Sequence, residues 1–237
     1  MPERDKNKQD GPDIRSNLIK VNVGGDTLFV DSNQYRLKRR KAKYIDTKQR
    51  QPKNPKPQEW ISEKYSQHKI ADYKPFNFVD GEGVRCSLYV SGCLFDCPGC
   101  YNLAAQNFNY GMPYTQELED KIIADIAQPY VQGLTLLGGE PFLNTWVCLK
   151  LINRMRKEFG HDKDIWSWSG YTWDELQLET DDKKEMLSKI DILVDGRFLD
   201  PLKDLTLQFR GSSNQRIIDV QKSFAAGHVV IWDKLVR

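Results

Sequence analysis

No stretch of the 237 residues holds about 18 consecutive apolar positions, so the sequence offers no membrane-spanning helix. The first residues, Met1-Pro2-Glu3-Arg4-Asp5-Lys6, are polar and mixed in charge and lack the apolar core of a secretory signal. The expected location is therefore the cytoplasm, with no membrane partner. Five cysteines are too few for a disulfide scaffold in a chain of this length. Clustered cysteines in a cytosolic enzyme more often bind metal or carry catalysis, and three of the five fall within eight residues. No internal repeat is evident.

Net charge is also scarce, at +2, but it is unevenly spread. Residues 1–70 carry 17 Lys/Arg against 9 Asp/Glu, whereas residues 71–237 carry 18 against 24. A basic front is thus joined to a mildly acidic body. Hydrophobic residues make up 39% and charged residues 29%, enough for one packed core and an appendage.

Residues 1–17 are polar and read as disordered. Leu18–Val30 places two β-branched runs around Gly24-Gly25 and predicts a small hairpin. The basic run Arg36–Lys43 follows, then Gln51–Gln58, whose Pro, Lys and Gln give it the texture of a linker. The expected division is an extension over 1–65 and a functional domain over 66–237.

From about Ile70, strand and helix signals alternate. Arg85–Ser91 predicts a strand that delivers the chain to Gly92 and the cysteine cluster. Thr115 is placed to cap a helix whose stripe is Leu118, Ile122 and Ile126 and whose stop is Pro129. Leu134–Leu137 reads as a buried strand ending at Gly138-Gly139. Cys148, Leu151, Ile152, Met155 and Phe159 keep helical spacing up to Gly160. Strands at Ile165–Ser169 and Ile192–Asp195 bracket two helices, one opened by a Thr172/Glu175 capping box and one over Asp181–Ile190. This rhythm predicts an α/β fold with a mainly parallel sheet and helices on its faces. Ligands in such sheets bind beyond the carboxyl ends of the strands. The cysteines, Gly138-Gly139-Glu140, Ser169-Gly170 and Asp195-Gly196 all follow strand ends and should converge on one rim.

The chemistry sits in Ser91-Gly92-Cys93-Leu94-Phe95-Asp96-Cys97-Pro98-Gly99-Cys100-Tyr101-Asn102, a C-x3-C-x2-C loop. Short spacers let the loop curl around one polynuclear cluster, and Pro98-Gly99 supplies a turn between the last two thiols. Three protein ligands leave one metal corner open for a small molecule. A zinc site completed by His68, His161 or His228 is the alternative. Cys86, inside a strand, and Cys148, on an apolar helical stripe, read as small buried hydrophobes. Trp166 and Trp168 read as core aromatics, and Asp195, after its strand, as either a ligand contact or a solvated turn.

Several segments then occur in order: Val79–Cys86, Val90-Ser91-Gly92-Cys93, Cys97–Asn102, Gly138-Gly139-Glu140-Pro141, Ile165–Tyr171, Val194–Phe198 and Arg210–Arg216. Over about Ser66 to Val220 they resemble the radical S-adenosylmethionine superfamily, and within it the activators of anaerobic ribonucleoside-triphosphate reductase. Gly99 stands where many members of the superfamily carry an aromatic residue, and this agrees with the reductase activators.

The resemblance implies an incomplete radical-SAM-type parallel (βα) barrel carrying the basic N-terminal extension; a full eight-stranded barrel needs more residues. It implies that Cys93, Cys97 and Cys100 hold a 4Fe-4S cluster whose open iron chelates S-adenosylmethionine. Gly138, Gly139 and Glu140 would receive the methionine amine, Ser169 would approach the ribose or adenine, and the backbone N–H groups of Gly99 and Tyr101 would face the cluster. The radical product would take hydrogen from a glycine of anaerobic ribonucleoside-triphosphate reductase, with electrons from a reduced flavodoxin or ferredoxin-type donor. Activation of a formate-lyase-type partner is the alternative among enzymes. A zinc or Fe–S module binding nucleic acid is the alternative outside them. The basic front reads first as a solvated extension, then as a surface for the protein partner, and last as a nucleic-acid binder because interleaved aromatics are sparse.

Overall fold

A computed structural model describes residues 51–234 and two upstream strands, Leu18–Val23 (β1) and Asp26–Asp31 (β2). β1 and β2 pair antiparallel, with Leu18 opposite Asp31 and Val23 opposite Asp26, as the hairpin pattern predicts. The Gly24-Gly25 turn, residues 1–17 and the basic run Arg36–Lys43 lie outside the described residues. The chain divides into two units, Met1–Thr47 and Lys48–Arg237. The second takes in residues 48–65 as well as the expected domain, because Trp60 and Ser62 are buried within it.

That second unit contains a short helix, Ser62–Tyr65 (α1), and a seven-stranded sheet. The strands are Lys69–Asn77 (β3), Val84–Val90 (β4), Met112–Pro113 (β5), Val131–Gly138 (β6), Asp164–Trp168 (β7), Ile192–Asp195 (β8) and Arg216–Asp219 (β9), in the order β5-β3-β4-β6-β7-β8-β9. β4, β6, β7 and β8 run parallel because a helical crossover separates each from the next. These crossovers are Gln116–Ile126 (α2), Thr145–Phe159 (α3), and the pair Trp173–Gln177 (α4) and Asp181–Lys189 (α5). The helix Val220–Ala226 (α6) follows β9.

The α/β class holds, but the parallel character is confined to the middle. β3 with β4, β3 with β5, and β8 with β9 are antiparallel. The sheet does not close on itself: β5 and β9 are its edges.

Local signals explain the helix starts. The Thr115 side chain accepts the Leu118 N–H, and Thr172 with Glu175 forms a reciprocal capping box. The expectation of helices on both faces is corrected by the burial pattern. Ile122, Leu151, Met155, Leu187 and Val220 from the helices pack with Leu88, Leu134, Ile165, Leu193 and Ile218 in one core. The alternate strand positions Trp166, Ile192, Val194 and Ile217 face the opposite way, where, among the described residues, Trp232 and loop side chains such as Phe209 pack on them. Among the described residues, no helix is long and apolar enough to cross a membrane.

Arg85 is buried on this second face. Its Nε donates to Thr135 Oγ1 at 2.8 Å, and its guanidinium pairs with Asp164 at 2.5 Å and lies 5.3 Å from the Trp166 ring centre. Burial pushes its pKa down and Asp164 opposes that shift. Removing the carboxylate strands the charge. Asp164→Ala is therefore expected to destabilise the chain by about 3 kcal/mol, read as a lower urea midpoint at unchanged slope.

The stretch Gln51–Gln58 is not a free linker. The Lys53 N–H donates to Phe95 O at 2.8 Å, and Gln58 donates to Glu179 and to Leu178 O.

Candidate functional site

The carboxyl ends of β4, β6, β7 and β8 open onto one cavity of about 390 Å³, within the range of small-molecule sites. Cys93, Cys97, Gly99, Cys100, Tyr101, Gly138, Gly139, Glu140 and Ser169 all line it. The structure thus brings all nine sequence-predicted positions together.

Two motifs are held against each other through one carbonyl. Gly92 O, just before Cys93, accepts the Glu140 N–H at 2.8 Å and the Asn144 Nδ2 at 3.4 Å. The Gly92 and Cys93 N–H groups are taken by Ala105 O and Gln106 O at 2.7 and 3.0 Å. A side chain on residue 139 would bring its Cβ to 2.5 Å from Gly92 O and 2.8 Å from Ala105 O, so only glycine allows this approach.

Glu140 is buried, and its carboxylate accepts three bonds. Oε1 takes the Phe142 N–H at 3.1 Å and Ser169 Oγ–H at 2.8 Å; Oε2 takes the Gly170 N–H at 2.8 Å. A carboxylate has about four acceptor positions, so one on Oε2 is left for a further donor. Burial pushes the Glu140 pKa up to about 7, even though these bonds and Lys183 favour ionisation.

Cys93, Cys97 and Cys100 are free thiols. Burial, then the neighbouring Cys100, pushes Cys97 up to about 11. Cys93 is raised well above its ordinary value, by burial first and by Glu140 second. A cationic metal centre would reverse that balance, because it draws thiols into the thiolate form. Three thiols and a buried carboxylate lining one cavity suit an iron–sulfur cluster with an ammonium-bearing ligand.

The histidines that a zinc site would call on are occupied elsewhere. His68 stacks on Trp146 with ring centres 4.1 Å apart, His161 lies 3.6 Å from Asp191, and His228 contacts Ala226 O. None lines the cavity. Cys86 and Cys148 are fully buried in the main core. Trp166 is buried, whereas Trp168 reaches the cavity and donates to Phe209 O.

Asp195 is neither solvated nor turned to the cavity. It is buried, accepts the Trp173 N–H at 2.8 Å and pairs with Arg216 at 2.5 Å. The Arg210–Arg216 segment, which the sequence leaves without a role, builds a wall. Gln215 Oε1 accepts the Gly211 and Ser212 N–H groups, its Nε2 donates to Gly196 O, and Gly211 and Gln215 both line the cavity. Phe95, Phe198, Lys203 and Leu205 also line it. Phe198 stands in a quoted motif; Lys203 and Leu205 have no sequence signal.

Residues 79–218 match the family described as a 4Fe-4S single cluster domain. The chain is 46% identical over 147 residues to the anaerobic ribonucleoside-triphosphate reductase-activating protein of Salmonella typhi, spanning 60% of this chain and 93% of that relative. It is 45% identical to the protein of the same name from Escherichia coli K12, with the same coverage. It is 36% identical over 145 residues to that of Enterobacteria phage T4, 60% of this chain and 88% of the phage protein. The chain belongs to the family of anaerobic ribonucleoside-triphosphate reductase-activating proteins.

Proposed function

We propose that the chain cleaves S-adenosylmethionine reductively at a 4Fe-4S cluster and so installs a glycyl radical on anaerobic ribonucleoside-triphosphate reductase. The observation that carries this reading is that three free thiols and a buried carboxylate held by three hydrogen bonds line one cavity. Cys93, Cys97 and Cys100 would hold the cluster, which, held by three thiolates, supplies an open iron and one electron. Glu140 would bind the methionine ammonium, with Ser169 and Gly170 fixing its carboxylate in place. Leu137, Trp168 and Phe198 line the cavity with apolar surface that excludes water from the reacting end. Gly99 and Tyr101 would direct backbone N–H groups toward cluster sulfur. The fold around the cavity is an incomplete (βα) barrel whose open side admits the partner's glycine loop. The one-electron donor is a reduced flavodoxin or ferredoxin-type protein, and the setting is the cytoplasm. Residues 1–47 carry the basic extension, and the activase domain takes in residues 48–237.

Anaerobic reconstitution with iron and sulfide tests the reading. The expected result is about four irons per chain, 5′-deoxyadenosine on addition of dithionite and S-adenosylmethionine, and a glycyl signal in electron paramagnetic resonance once the reductase is added. One zinc per chain with no deoxyadenosine would give the site to a metal-binding module instead. A radical raised on a formate-lyase-type partner and not on the reductase would reassign the substrate.

A further inference from the structure

The loop between the first two site cysteines is held from behind by a segment upstream of the family match. Phe95, between Cys93 and Cys97, is buried, and its ring meets Trp60 at 5.0 Å and Tyr171 at 4.9 Å, both edge-on. The Arg197 guanidinium lies 4.7 Å from the same ring centre. Phe95 O accepts the Lys53 N–H at 2.8 Å, and Lys53 O accepts Arg197 Nε at 3.0 Å. Arg197 is itself fixed by two bonds of 2.9 Å to Glu175.

The other end of the segment is anchored as firmly. Trp60 O accepts the buried Lys183 Nζ at 2.5 Å, and Lys183 also holds Tyr171 Oη at 3.1 Å and Glu179 at 2.8 Å. Between the two anchors, Gln58 bonds to Glu179 and Leu178.

Phe95 also touches the opposite half of the cavity. A Cβ on residue 170 would stand 2.4 Å from its ring, and the Gly170 N–H is one of the three donors to Glu140. The position of Phe95 therefore sets the cysteine loop and the Gly170–Glu140 contact together.

We infer that residues Lys53–Trp60 act as a positioning strap, fixing through Phe95 the separation between the cysteine loop and the Glu140 carboxylate. The inference rests on the cluster reading of the three cysteines. Ligand thiols suffice to assemble a cluster, but productive geometry needs the loop held against Gly170. The strap thus governs what the assembled site does with its ligand rather than whether the cluster forms.

The test compares full-length Trp60→Ala, Lys53→Pro and Trp60→Phe with the parent. Lys53→Pro removes a single backbone donor at an exposed position, so it carries the test if Trp60→Ala does not fold. Both disruptive variants are expected to keep the parent's iron content while S-adenosylmethionine cleavage falls about 100-fold. The change that S-adenosylmethionine induces in the electron paramagnetic resonance of the reduced cluster should be lost. Alkylation of Cys97 in the metal-free chain should accelerate about tenfold as the loop opens locally. Trp60→Phe, which keeps an aromatic ring on Phe95, should stay within about threefold of the parent in all three. Parent-like cleavage, spectrum and alkylation in Trp60→Ala and Lys53→Pro would overturn the inference. If the parent itself binds no iron, the cluster reading fails, and the alkylation rates still decide whether the strap positions the loop.

Discussion

Cys97→Ala is expected to lose the cluster, and with it all release of 5′-deoxyadenosine, while Cys148→Ala keeps about four irons per chain. Cys97 and Cys100 both line the cavity, and the Cys100 N–H donates to Cys97 O at 3.2 Å, so one tight turn carries both thiols to the same site. With one of three thiolates gone, the remaining pair cannot hold a cube against solvent and reductant. Cys148 lies on α3 in the main core with no exposed surface, so its truncation leaves a small void and costs about 1 kcal/mol of stability. Iron and sulfide analysis of the two reconstituted variants separates the cases. Equal iron loss in both would remove the ligand assignment.

The second large effect is expected at Glu140. The buried carboxylate is held by three neutral donors and is bonded to no cation among the described residues, a partner that an arriving ammonium would supply. Glu140→Gln keeps one oxygen but sets an NH2 group where the other accepts, so S-adenosylmethionine affinity should weaken by about 2 kcal/mol, roughly 30-fold. The pH dependence carries the same signature. Because the folded pKa is raised to about 7 from an ordinary 4.5, ionisation is disfavoured in the ligand-free fold. The stability tied to the neutral form is complete below about pH 4.5 and is lost as pH rises through about 7, a change of roughly 3 kcal/mol. Ligand affinity should move the other way, rising up to about pH 7 and then levelling, because only the carboxylate attracts the ammonium. Calorimetric titration from pH 5 to pH 8 checks both trends. A parent whose affinity is flat over that range, or a Gln variant that retains the slope, would refute the role.

The rim of the cavity was legible because its residues cannot be exchanged for others. Thiols at fixed spacing, a Gly-Gly-Glu turn and a Ser-Gly pair each follow an apolar run, and period-two burial places the ends of parallel strands side by side. The helices were readable from caps and stripes, Thr115 and Thr172 above all. The antiparallel margins were not. In β3 only Ile70 is buried, and Pro75 interrupts the run, so no alternation announces a strand. β9 is four residues long and is recognisable only once β8 lies beside it. The walls supplied by Gln215, Lys203 and Leu205 depend on how a loop folds back, which local pattern does not encode. Residues 51–58 misled for a related reason. Their composition is that of a tether, but their backbone groups find partners in residues far along the chain.

The shared carbonyl of Gly92 has a mechanical consequence. Because it binds both the turn at Glu140 and the side chain of Asn144, the two halves of the cavity ride on one joint and move in common mode. Fraying at either open margin of the sheet would then shift both halves alike and leave the gap between them unchanged. An unclosed sheet can in this way carry a site whose spacing tolerates little error.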